Sequence, residues 1–419
     1  MYQIENSGDL LKSKRGGVRS RFGWTKVAPV VLLLGLTSFL TDISAEMVAA
    51  TLPLYLVFGL RLSPFQFGLV DGLYQGASIL VRLLSGYVAD RWRNPKLVAT
   101  VGYGLSTVSR PALLLVGANW NALAGVVLID RIGKGIRTAP RDAMIAGSTP
   151  GEYLATAFGV HRAMDTAGAM IGPLLAAGIL WLTAQAYDAV FVVSFGFALV
   201  GFAVIATFVR TPASVTATMT HPQSLRESFE LLAAPGFRVL VLSGSLLALT
   251  TISDAFVYLI LQERVQLPQS FFPLFYVSMA LIFMLFAIPV GRLADRVGRR
   301  SIFGAGYVML ITAYGLLWSS VSSMVLVALV LCLMGLYYAA TDGVLAALAS
   351  AHLPTHLRSS GLALLATGIA LARLCASTLY GWMWGMWGSQ TAIGVFTVGM
   401  ILATVTAWWL LWGVETQKG

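Results

Sequence analysis

Residues 86–96 read GYVADRWRNPK, and residues 291–300 read GRLADRVGRR. Each is a short basic connection between two apolar runs, and the copies lie about 205 residues apart. A repeat at that separation is the mark of a duplicated structural unit. Outward from the two copies, apolar stretches follow at about 28–59, 64–89, 96–117, 120–147, 153–182 and 187–209. After a polar gap they resume at about 238–262, 269–293, 301–320, 323–350, 356–386 and 389–413. Each can supply the roughly 20 apolar residues of a bilayer span. The repeat therefore sits between the second and third span of each set of six.

The composition agrees. Of 419 residues, 57% are hydrophobic and only 11% are charged, against roughly 25% charged in a soluble domain. The chain cannot clothe a water-facing surface of its size, which excludes an ordinary cytosolic enzyme, a disordered chain and a coiled coil. The expected fold is an all-α polytopic membrane protein with twelve transmembrane helices in two pseudo-symmetric six-helix bundles. Its divisions are a basic cytoplasmic tail (1–26), an N-terminal bundle (27–209), a cytoplasmic linker (210–237), a C-terminal bundle (238–414) and a short cytoplasmic tail (415–419). The linker carries Ser224-Leu225-Arg226-Glu227, a capping box that predicts an amphipathic helix. The first 26 residues show no apolar core with a small-residue cleavage site, so no cleavable signal is expected. They suit contact with anionic lipid.

The formal net charge is +10. In a soluble protein this would suggest nucleic acid as a partner; here the excess lies in loops on one side of the membrane. Arg91, Arg93, Lys96, Arg141, Arg210, Arg226, Arg238, Arg292, Arg296, Arg299, Arg300 and Arg358 fall on the side of the basic tail, and only Arg61 and Arg264 on the other. The positive-inside rule then makes both termini cytoplasmic. Cys332 and Cys375 lie in apolar runs and read as core thiols, not as a metal or disulfide framework.

These loops resemble the signature loop of the major facilitator superfamily. Gly86, Asp90, Arg91 and Lys96 match in the first half, and Gly291, Asp295, Arg296, Arg299 and Arg300 match more fully in the second. The first copy departs from the pattern at Arg93-Asn94-Pro95. Arg131 and Gly135 in span four resemble the family's intramembrane arginine motif. Gly159, Gly168, Gly172 and Pro173 in span five resemble the motif of its proton-driven antiporters, although Ala176-Ala177 stand where a glycine pair is usual. The resemblance covers about 28–413. It implies a secondary active transporter in a bacterial inner membrane, with gating loops that latch the halves together on the cytoplasmic side. Small residues on span five would let it pack closely on a neighbour. The resemblance favours the efflux antiporter branch, and residues 130–142 are similar to a bacterial branch whose cargo is mostly unassigned.

Ionisable side chains inside a bilayer are costly and mark function by default. Asp42 and Glu46, four apart, share one face of span one. Two close carboxyls in a low-dielectric site cannot both ionise cheaply, which suits a proton carrier. In the family, spans one, four, seven and ten line the cavity, which places Asp42, Glu46, Asp130, Arg131, Lys134, Asp254 and Asp342 around cargo and proton. Asp130 and Lys134 are spaced to pair on one helix, which leaves Arg131 to Asp42. A second network comprises Asp71 and Arg82 on span two and His161, Arg162 and Asp165 on span five. Imidazole titrates near physiological pH, so His161 is a candidate relay with Asp165.

The acidic excess in the cavity points to proton-coupled efflux of a small cationic or amine-bearing molecule. Uptake of a small organic anion, held by basic residues such as Arg131 and Lys134, is one alternative. Export of a divalent metal, or of a metal-chelating metabolite, through Asp42 and Glu46 is another. No Walker loop, dinucleotide motif or Cys/His cluster is present. The reading therefore expects no enzyme activity, no resident metal or cofactor, no nucleic acid, and a monomer whose partners are cargo, protons and lipid.

Overall fold

The computed structural model describes residues 28–92, 94–117, 119–150, 153–210, 230–319, 321–350, 353 and 358–415. Among them no strand occurs, and thirteen α-helices account for twelve spans. In the first half these are α1 (Pro29–Leu54), α2 (Pro64–Trp92), α3 (Pro95–Leu115), α4 (Trp120–Gly147), α5 (Leu154–Leu182) and α6 (Tyr187–Thr207). The second half has α7 (Pro235–Leu249), α8 (Asp254–Val265), α9 (Pro273–Val297), α10 (Arg299–Trp318), α11 (Met324–Ser350), α12 (Arg358–Trp387) and α13 (Ser389–Glu415). Proline opens α1, α2, α3, α7 and α9, where its missing N–H removes a donor the helix would leave unsatisfied. The basic tail and most of the linker, including the expected capping box, lie outside the described residues.

Thirteen helices make twelve spans because the seventh is broken. The sequence reading expects one helix over 238–262. Instead α7 stops at Leu249 and α8 starts at Asp254. The hydroxyls of Thr250 and Thr251 turn back on the Leu247 carbonyl at 3.1 and 2.8 Å. Ser253 then caps α8 by accepting from the Phe256 amide. The freed Ile252 amide donates to the Tyr314 hydroxyl at 2.7 Å, so the break is satisfied by protein, as lipid requires.

The halves share one packing plan. In the first, α1 packs on α5 and α6, α4 on α2 and α3, and α3 on α6. In the second, α7 packs on α12 and α13, α11 on α9 and α10, and α10 on α13. Span for span, these pairings correspond. Between the halves α2 meets α12 and α5 meets α9, again as symmetric counterparts.

The repeated loops differ in how they turn. In the second copy Gly298, at φ +112°, joins α9 to α10. Asp295 accepts from Arg299 at 3.0 Å, and the Arg300 guanidinium lies 4.8 Å from the centre of the Trp408 ring. In the first copy, where the glycine is missing, Asn94 caps α3 by accepting from the Leu97 amide at 3.1 Å, and Pro95 follows as the first helical residue. The departing Asn-Pro thus serves as a helix start. Arg82, Gly86, Asp90 and Arg91 belong to α2, but their side chains lie outside the described residues.

At the end bearing the α1–α2 and α8–α9 connections, the halves are clamped together. Phe67 of α2 meets Phe256 of α8 at 4.8 Å between ring centres, and Phe256 meets Tyr380 of α12 at 4.7 Å. Tyr187 at the start of α6 donates to Gln269 of the opposite half. Gly68, Gly72 and Gly76 recur every four residues, so one face of α2 lies flush on α12. A Cβ at Gly72 would stand 2.8 Å from the Leu374 carbonyl oxygen, and one at Gly68 2.5 Å from that of Ser377.

This contact has no room for a side chain. Gly72→Leu is expected to wedge α2 off α12 at a cost of about 1–3 kcal/mol. The check is the reaction of Ala49→Cys, set in a background where both native cysteines are serine, with an impermeant maleimide applied from the clamped side. Labelling should accelerate about tenfold, in line with a shift of that size. Unchanged labelling would mean that the glycine contact does not hold this end shut.

Candidate functional site

Between the halves lies a cavity walled by α1, α2, α4, α5, α8 and α9. Its charged wall consists of Glu46, Asp71, Arg131, Lys134 and Asp254, and its aromatic wall of Phe67, Tyr74, Tyr276 and Phe283. Pro173 of the glycine motif also faces it. Of the residues singled out in the sequence, Glu46, Arg131, Lys134, Asp254 and Asp71 come together here. Asp42, Asp130, Asp342, His161 and Asp165 do not line the cavity.

Asp130 stands behind it, 4% exposed. Its Oδ1 is 3.1 Å from Arg110 Nη2 and accepts from Ser109 Oγ at 3.3 Å. Its Oδ2 accepts from Arg131 Nε at 3.0 Å. Arg131 thus pairs with its own neighbour and not with Asp42, and Asp130 pairs with two arginines and not with Lys134. The reason is packing: α3 runs beside α4 and delivers Arg110, while Arg131 lies flat on Tyr74 of α2, 3.8 Å from the ring centre. The Arg110 Nε donates onward to Ser44 of α1 at 3.2 Å, and Ser44 meets Ser194 of α6 at 2.8 Å.

A second buried group lies nearer the ends that carry the repeated loops. Asp42 is 3.7 Å from Arg137 Nη2, and Asp165 is 3.7 Å from Arg141 Nη1. Arg141 also pairs with Asp142 at 3.0 Å. Ser38 gathers Arg141, Tyr103 and His161, whose Nε2 is 3.1 Å from its Oγ. His161 therefore meets Ser38 of α1, while Asp165 turns to Arg141. Arg162, next to His161, is half-buried.

The second half is sparser. Asp254 starts α8 and accepts from Tyr338 of α11 at 2.7 Å. Asp342, one turn further along α11, stands near Arg373 of α12, which is also close to Asp254. Asp71 joins the two halves: its Oδ2 accepts from Ser377 of α12 at 2.6 Å.

Glu46 and Lys134 differ from this network. Among the described residues neither side chain makes a hydrogen bond or ion pair, and both border the cavity. Sequence reasoning missed Tyr74, Tyr276 and Tyr338, and the pairing roles of Arg110, Arg137 and Arg373. Arg110 and Arg373 stand out as charges in apolar runs; the tyrosines give no signal apart from ordinary core aromatics. The two cysteines are not core thiols, since Cys332 is half-buried and Cys375 exposed. The packing faces of α11 and α12 turn elsewhere.

The family model described as Major Facilitator Superfamily matches residues 34–286 and 239–419. An uncharacterized MFS-type transporter of Methanocaldococcus jannaschii is 30% identical over 393 residues, covering 91% of this chain and 94% of the relative. An uncharacterized protein of Mycobacterium bovis is 33% identical over 181 residues, 43% of each chain. Among solved structures, the nucleoside transporter NupG superposes with a TM-score of 0.76 at 16% identity, covering 91% of this chain and 99% of that one. A bacterial homolog of the human lysosomal transporter Spinster, solved inward-facing and unoccupied, gives 0.70 at 15%, covering 92% and 94%. At those identities the two structures speak for the fold. The chain belongs to the major facilitator superfamily, and it is a membrane transporter of that type.

Asp130 is the hub of the first half. Asp130→Asn would leave Arg110 and Arg131 buried without their counter-charge, a loss of about 3–5 kcal/mol. Thermal unfolding of the purified protein in detergent should show a large drop in midpoint. Glu46→Gln, which removes no partner, should leave the midpoint nearly unchanged. Equal midpoints for both variants would show that Asp130 is not a structural hub.

Proposed function

We propose that this member of the superfamily exports a small cationic or amine-bearing molecule in exchange for protons. The observation that supports this is the charge on the cavity wall. Three carboxyls, Glu46, Asp71 and Asp254, face one ammonium, Lys134, and one guanidinium, Arg131. Arg131 is already answered by Asp130 and stacked on Tyr74. With Arg131 set aside, the wall carries three carboxyls against one ammonium, and the rings of Tyr276 and Phe283 offer faces on which a cation can rest.

The proposed orientation rests on charge. The ends rich in arginine and lysine are placed in the cytoplasm by the positive-inside rule, which puts both termini there, with the chain in a bacterial cytoplasmic membrane. On that orientation the clamped end is the outer one, and cargo would enter the cavity from inside. Rocking of the halves about the cavity would exchange the open end, with α2–α12 and α5–α9 as the moving contacts. A proton bound to the acidic groups of α1 lowers the attraction for a cationic cargo. Cargo and proton then favour different states, which is what exchange requires.

A drug-hypersensitive bacterial host carrying vector, wild type or Glu46→Gln tests the reading against a panel of organic cations, divalent metals and organic acids. Wild type should protect against organic cations, Glu46→Gln should lose that protection, and a protonophore should abolish it. Lys134 on the same wall supports a second reading, uptake of a small organic anion. In that case wild type would protect against no cation, and accumulation of an organic acid would disappear in Lys134→Ala.

A further inference from the structure

Gly168 and Gly172 lay α5 against the backbone of α1. A Cβ at Gly168 would collide with the Phe39 carbonyl oxygen, and one at Gly172 would stand 2.7 Å from that of Ile43. Asp165 lies one turn before Gly168, and Asp42 lies between Phe39 and Ile43. Both therefore project into one seam, and their carboxyl groups come within hydrogen-bond reach of each other. Each residue is only 7% exposed. Two carboxylates have no hydrogen to offer one another. One proton between them replaces a like-charge repulsion by a hydrogen bond.

The neighbours are arranged for the unprotonated state as well. Arg137 of α4 stands 3.7 Å from Asp42, and Arg141, one turn on, stands 3.7 Å from Asp165. Both distances exceed the roughly 2.7–2.9 Å of a closed charge-assisted pair. Buried Arg137 Nη1 and Asp165 Oδ1 have no hydrogen-bond partner. Each carboxyl thus has an arginine within reach but not engaged. Other groups facing the seam are Lys134 and Asp142 of α4, His161 and Arg162 of α5, and Tyr103 of α3, over which Arg137 lies. From α6 comes uncharged Ser194, bonded to Ser44 of α1.

We infer that Asp42 and Asp165 form a proton-binding dyad that shares one proton in the α1–α5 seam, outside the cargo cavity. When the proton leaves to water, Asp42 closes on Arg137 and Asp165 on Arg141, drawing α1 and α5 onto α4. Glu46, one turn from Asp42 on the same helix, faces the cavity. The proton is then felt by cargo through movement of α1, without contact. This rests on the proton-coupled reading and locates the proton.

Dicyclohexylcarbodiimide, which attacks protonated carboxyls in apolar surroundings, tests it on the unaltered protein in lipid vesicles. The label is mapped by peptide mass spectrometry across a series of pH values. It is expected on Asp42 or Asp165, and it should be lost as pH rises. In Asp165→Asn the amide donates to Asp42 and holds it ionised, so the label on Asp42 should be lost at every pH. Undiminished label on Asp42 in that variant would overturn the sharing. Label on Glu46 alone would overturn the dyad and leave proton coupling standing. Absence of label from all three would overturn both.

Discussion

A charge inside a bilayer has to be answered from within the protein, because neither lipid nor bulk water will answer it. The first half of this transporter is arranged around that constraint. Its fourth span carries Asp130, Arg131, Lys134, Arg137, Arg141 and Asp142, too many charges for lipid. The span is placed where α1, α2, α3 and α5 can each offer it a partner. Arg110 comes from α3, Asp42 from α1, Asp165 from α5 and the ring of Tyr74 from α2. Without that ring of helices α4 would keep only its own pairs, Asp130–Arg131 and Arg141–Asp142, and Arg137 would lack a counter-ion.

Two loops and a hydrophobic count sufficed to read the architecture. The repeat at 86–96 and 291–300 implied duplication, and the packing pairs of the two halves correspond span for span. Period and composition carry such information because every span obeys the same solvent. The broken seventh span escaped, since Thr250-Thr251-Ile252-Ser253 contains neither glycine nor proline. The break depends on hydroxyl groups and on Tyr314, which is 62 residues from Ile252 in the chain. The site was legible as a set of charged residues and not as a set of pairs. Helical spacing joined Asp130 to Lys134, but a neighbouring helix supplied a closer cation. Spacing describes one helix, whereas a buried ion pair is settled between helices.

The halves match in packing and differ in chemistry. The first half has an interlocked lattice of carboxylates and guanidiniums. The second has tyrosines, two aspartates and Arg373, with a helix break beside Asp254. A dense ionic lattice is stiff, since each group holds several others. A broken helix capped by one serine bends at far lower cost. This asymmetry suits a machine whose second half can bend at the broken helix, while in the first half buried charges tie α1, α3 and α5 to α4.

Within the first half there is a further division. Glycines of α5 bring Asp165 beside Asp42 in a seam that does not line the cavity, while one turn along α1 Glu46 borders it. If proton and cargo shared one carboxylate, exchange would be a direct competition, and the charge of the cargo would be tied to that of the proton. On the proposed reading, with the proton in the seam, coupling would pass through the position of α1. The cavity is then free to vary its polar groups without losing its drive. A single seam of glycine and aspartate, held by the arginines of α4, can in this way power a wall suited to different molecules.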